Sequence, residues 1–106
     1  MSLFYVAHKF GSDLVNYERA KQITHDLQVK DTENSYICPL MTLSHIQYGE
    51  LDFETELEIC KDILSVCDKL IVASELSKGV QIEVDFANLV GMEIEWLEEE
   101  KEETQS

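Results

Sequence analysis

The sequence predicts an α/β fold: one three-layer domain with a small, mostly parallel sheet. Three observations predict it. Short β-prone runs alternate with segments of helical spacing along the chain. The run Leu70-Ile71-Val72-Ala73 is apolar at every position, as a strand covered on both faces requires. Strand–helix–strand alternation also demands crossover connections, which are right-handed and leave the strands parallel.

The elements follow in order. Leu3 to Ala7 is a β-prone run, and Gly11-Ser12-Asp13 supplies a turn and a cap. Leu14 to Val29 is helical by spacing, with Ala20, Ile23 and Leu27 on one face. Lys30 to Ser35 is a polar loop. Tyr36-Ile37-Cys38 is a second strand, stopped by Pro39. Leu40 to Glu50, with Ser44, His45, Gln47, Tyr48 and Gly49, reads as a loop or a short irregular helix, and a long loop after a strand is often functional. Leu51 to Val66 is a helix whose stripe is Phe53, Leu57, Cys60 and Leu64, continuing to Cys67. Leu70 to Ala73 is the third strand and Gly79 to Val90 the third long helix, ended by Gly91 at C′. Met92, Ile94 and Trp96 alternate with Glu93 and Glu95, as in an edge strand with one wet face. The first and third strands are expected side by side at the sheet centre. The loops after strands one, two and three then share one rim, in a Rossmann-like or flavodoxin-like arrangement.

Bulk properties narrow the function. With 106 residues the chain forms one small domain, 1–97, followed by an acidic tail, 98–106. A core this modest gains from a homo-oligomer. The formal charge of -14 argues against nucleic acid as a partner, because phosphate contacts need a basic surface. The tail carries -4 and the remainder -10. No apolar run approaches the roughly 20 residues of a membrane span, and no secretory leader is visible. Cys38, Cys60 and Cys67 form no C-x-x-C pair, which suits reduced thiols in a cytoplasm. Cys60 and Cys67 are expected in the core as small apolar groups. His8, His25 and His45 do not pair with them at ligand spacing, so no metal and no cofactor is expected.

The densest chemical signal is Ser77-Lys78-Gly79-Val80-Gln81-Ile82-Glu83, after the apolar strand and at the start of a helix. Serine and glycine there serve as a cap and a turn. Alternatively, the glycine lets backbone N–H groups approach an anion, and Glu83 faces the same pocket one turn into the helix. Tyr5, His8, Lys9, His45, Ser77, Gly79 and Glu83 all come from the shared rim or its approaches.

Three pieces together resemble the nucleoside 2-deoxyribosyltransferase superfamily, including the small 2′-deoxynucleoside 5′-phosphate N-hydrolases and short, often phage-borne relatives. Tyr5-Val6-Ala7-His8-Lys9-Phe10 is similar to the family's opening strand and loop. Cys67-Asp68-Lys69-Leu70-Ile71-Val72 resembles the small-Asp-apolar entry to the central strand. Ser77 to Glu83 fits S-x-G-x-x-x-E, with Ala87 and Gly91 following. The similarity runs to Leu97. It implies that Glu83 attacks the anomeric carbon of a (deoxy)ribose, stabilising an oxocarbenium-like transition state before a glycosyl-enzyme forms. It implies that Tyr5 orients Glu83, and that Ser77 and the Gly79 N–H hold a 5′-phosphate or sugar hydroxyl, with Lys9 and Lys78 adding charge. It also implies a nucleoside or nucleotide ligand and a homodimer.

Two departures stand out. His8-Lys9-Phe10 is bulkier than the small residues usual after the first strand. Cys60 occupies the position, eight before Asp68, where the family carries an acid for the leaving base. A cysteine is a poor general acid near neutral pH. Glu56, Glu58 and Asp62 are expected on other helix faces, which leaves His45 or Asp68 as substitutes. The alternatives are therefore an inactive nucleotide-binding module of the same fold, and an acidic protein-interaction domain whose binding weakens with salt.

Overall fold

The computed structural model describes residues 1–11, 13–47 and 49–97. Ser12 of the first turn, Tyr48 of the irregular segment and the acidic tail lie outside the described residues. The elements run β1 (Leu3–Ala7), α1 (Leu14–Lys30), β2 (Ser35–Ile37), α2 (Pro39–Thr42), α3 (Phe53–Ser65), β3 (Lys69–Val72), α4 (Lys78–Leu89) and β4 (Glu93–Trp96). The four strands form one all-parallel sheet in the order β2-β1-β3-β4, a Rossmann-like, flavodoxin-like α/β arrangement. β1 and β3 lie side by side at its centre, with Tyr5 opposite Leu70 and Ala7 opposite Val72.

Alternation along the central strands divides the core between two faces. Tyr5, Ala7, Leu70 and Val72 pack with Leu64 of α3 and with Val80, Val84 and Ala87 of α4. Val6 faces the other way and packs with Ala20 of α1, with Ile23, Leu27 and Leu40 against that cluster. Cys67 is buried in the first cluster and Cys60 packs at its margin, so both act as small apolar groups.

Side-chain caps set most boundaries. Asp13, Asp52 and Ser77 start α1, α3 and α4 by accepting from Val15, Thr55 and Val80 N–H groups respectively. α3 therefore begins at Phe53 rather than Leu51. α4 ends in a Schellman motif: Gly91, at φ 75°, donates to Asn88, and Met92 donates to Ala87. β2 stops at Ile37, one residue earlier than expected, because Cys38 becomes the N-cap of α2 with Pro39 at its first position. The irregular segment thus opens with a helix of four residues. Gln28 steers the entry to β2, donating to the Asp31 and Asn34 carbonyls and accepting from the Tyr36 N–H.

One expectation about β4 fails. Met92 and Ile94 pack against the core, but Trp96 is 55% exposed. The strand is at the sheet edge, and its dry side ends at Ile94.

Candidate functional site

Glu83 lies on the inner face of α4, in the stripe with Val80, Val84 and Ala87, so helix packing carries its carboxylate under the protein surface. Only 6% of the residue is exposed. Its partner is Tyr5 of β1, whose hydroxyl donates to the Glu83 Oε2. Tyr5 is fully buried. None of the ion pairs among the described residues involves Glu83. Burial pushes its carboxyl up to about 7, and the Tyr5 hydrogen bond offsets part of that shift. Burial, and then the Glu83 charge, hold the Tyr5 phenol well above its ordinary value, so it remains a donor. Cys60 packs against the cluster that holds Tyr5 and lines the cavity with Glu83. Burial and the Glu83 charge push its thiol up to about 11.

Above the pair lies a cavity of about 680 Å³. It opens at the carboxyl ends of the parallel strands, where ligands of open α/β sheets bind. The loop after β1 contributes His8 and Phe10. Leu40, Leu43 and Ile46 come from α2 and the turn after it, and Phe53 and Leu57 from α3. Ser77, Lys78, Gly79 and Glu83 close it from α4. The walls are largely apolar and the polar groups are few, as in small-molecule sites generally.

The residues singled out in the sequence fall into three groups. Tyr5 and Glu83 form the floor, and His8, Ser77 and Gly79 line the cavity. His8 is buried, and its Nδ1 lies 2.8 Å from the Lys9 carbonyl, so that nitrogen carries a proton and donates. Ser77 is the helix cap, accepting from the Val80 N–H at 3.2 Å. Gly79 has no left-handed backbone, and a Cβ there would meet only Leu57 Cδ2, at 4.0 Å. The backbone does not require glycine; its absent side chain keeps that wall low.

Lys9 and His45 reach only the rim. The Lys9 ammonium pairs with Glu75 at 3.1 Å and its N–H donates to Ser74. His45 is exposed and does not line the cavity, although its neighbours Ser44 and Ile46 do. Lys78 sits at the mouth, its ammonium 5.4 Å from the Phe53 ring centre.

Asp68 does not join the site. It precedes β3 at the amino end of the sheet, where its carboxylate accepts from the Leu3 N–H at 2.8 Å and its own N–H donates to the Leu3 carbonyl at 2.7 Å. Its part is to tie β3 to the start of β1.

Glu56 is the converse case. Four residues before Cys60, it occupies the same α3 face, and it lines the cavity with Phe53, Leu57 and Cys60. The expectation that it faces elsewhere is wrong. The signal was the i, i+4 spacing to Cys60, which the apolar stripe hid. Among the described residues no cluster of three or more His, Cys, Asp or Glu is arranged to hold a metal ion. No helix among them is long and apolar enough to cross a membrane.

Comparison of the chain with protein-family models, with curated proteins and with solved structures finds no match.

Proposed function

We propose that this chain cleaves or transfers the N-glycosidic bond of a nucleoside or nucleoside 5′-monophosphate, ribo or deoxy, with Glu83 as the nucleophile. One observation carries the reading: the buried Tyr5–Glu83 pair under a cavity of about 680 Å³. That volume is in the range of small-molecule sites, about 300–1,000 Å³. The resemblance of the Tyr5 strand and the Ser77 to Glu83 segment to the nucleoside 2-deoxyribosyltransferase superfamily supplies the substrate class.

The chemistry suits the pair. The Glu83 carboxylate attacks the anomeric carbon as the C–N bond breaks. The base leaves with the electron pair of that bond and takes up a proton from water. Water, or a second base, then displaces the sugar from the glutamyl ester. A carboxylate that forms no ion pair among the described residues complements the positive charge of an oxocarbenium-like transition state. The attacking form is ionised, so a carboxyl raised to about 7 works best at neutral pH and above. Tyr5 orients it.

Exposed Leu14 and Phe53 at the cavity mouth support a homodimer within the same reading. The three free cysteines support a reducing, cytoplasmic setting.

A second reading, a nucleotide-binding module without turnover, is favoured by Cys60. A thiol pushed up to about 11 is a weak proton donor for a leaving base at neutral pH. Chromatography of nucleosides and 5′-monophosphates incubated with the wild type and Glu83→Ala separates the two. Free base from the wild type alone is the expected result. Binding without base release favours the module.

A further inference from the structure

We propose that Glu56 makes the cavity selective for nucleobases that carry an amino group on their outer edge. The proposal rests on the nucleoside reading above.

Position is the first argument. Glu56 lies one helical turn, about 6 Å along the axis, from Cys60, which packs against the cluster that holds Tyr5 and lines the cavity with Glu83. On its other side, three residues away, Phe53 stands at the mouth and is 46% exposed. A sugar whose anomeric carbon meets Glu83 therefore directs its base along the α3 wall. Glu56 and Glu83 line the same cavity, so a base bound above the floor has Glu56 in its wall.

Surroundings are the second argument. Leu43, Ile46, Phe53 and Leu57 offer apolar contact to the base and no competing carboxylate. Among the described residues the Glu56 carboxylate has no hydrogen-bond or ion-pair partner. The lysine in the lining, Lys78, lies against the Phe53 ring.

Chemistry is the third. An ionised carboxylate only accepts hydrogen bonds. The exocyclic amines of adenine and cytosine donate to it, and a charged acceptor strengthens the bond. Hypoxanthine and uracil present a carbonyl oxygen at the same position, which meets the carboxylate as a repulsive contact and leaves it unpaired.

The test compares matched pairs that differ in this one group, adenosine against inosine and cytidine against uridine, as ribo and deoxy nucleosides and 5′-monophosphates. Calorimetric binding and base release are measured with the full chain and with Glu56→Gln, both checked for folding by circular dichroism. The wild type is expected to favour the amino member by about tenfold or more, in Kd or KM. Glu56→Gln, whose amide both donates and accepts, is expected to bring that ratio close to one. Equal affinity for both members, or a preference that survives Glu56→Gln, overturns the role of Glu56 and leaves the nucleoside reading standing. No binding of any of these compounds by the folded wild type overturns the nucleoside reading, and this proposal with it.

Discussion

Two carboxylates at opposite ends of the sheet, Asp68 and Glu83, are held in opposite ways. At the amino end Asp68 is exposed and accepts from the Leu3 N–H. Asn34 acts alongside it by accepting from the Ser2 N–H. These contacts stitch strand starts together. At the carboxyl end Glu83 is buried, its hydrogen-bond donor is a neutral phenol, and a cavity opens above it. Burying a carboxylate without a cation costs stability. A chain that keeps such a group beside an open pocket has accepted that cost at the place where chemistry is expected.

The largest break in this contrast is Glu83→Gln, which removes the nucleophile and keeps the shape. Base release is expected to fall by roughly a thousandfold or more. The same substitution tests the stability side. The ordinary carboxyl value of 4.5 is raised to about 7 on folding, so between these values the folded chain holds a proton that the unfolded chain has released. Stability of the wild type is therefore lost as pH rises from about 4.5 through 7, by about 3 kcal/mol in all. Glu83→Gln lacks this term and should be the more stable protein at pH 8, as read from denaturant unfolding at pH 5 and pH 8. An unchanged pH dependence in the variant would mean that Glu83 is not the buried ionising group described here.

Tyr5→Phe is the next largest. It removes the donor that holds the Glu83 carboxyl down, so the pH midpoint of base release should move upward and the rate at neutral pH should fall about tenfold. A merely structural tyrosine would change stability and leave that midpoint in place.

Asp68→Ala should have the smallest effect and sharpens the contrast from the other side. It deletes one exposed hydrogen bond, to Leu3, for a loss of about 1 kcal/mol in unfolding free energy. Base release should be unchanged. A strong loss of activity would return Asp68 to the site and undo the distinction between the two ends.

The central pairing of β1 and β3 was legible because uninterrupted apolar runs report burial directly. The placement of Tyr5 and Glu83 was legible because both sit on regular elements, whose registers fix which face a side chain takes. Asp68 misled for a related reason. It belongs to a motif at a strand entry, and in a parallel sheet an entry is at the end opposite the ligand crevice. Glu56 was missed because an acid on an otherwise apolar helix face reads as part of the wet side until the cavity beneath that face is known. Lys9 and His45 come from loops, where sequence distance from the site does not determine side-chain direction. The apolar cavity walls, Leu40, Leu43 and Ile46, come from the irregular segment, which has no sustained period to read.

The measurement that tests the central claim most directly is base release from nucleosides and 5′-monophosphates across pH 5 to 8, by the wild type beside Glu83→Gln. A rate that climbs with pH and levels off above about 7 is expected, with the variant slower by roughly a thousandfold or more. Release that persists undiminished in Glu83→Gln, or no release from any compound by the folded wild type, would contradict the claim.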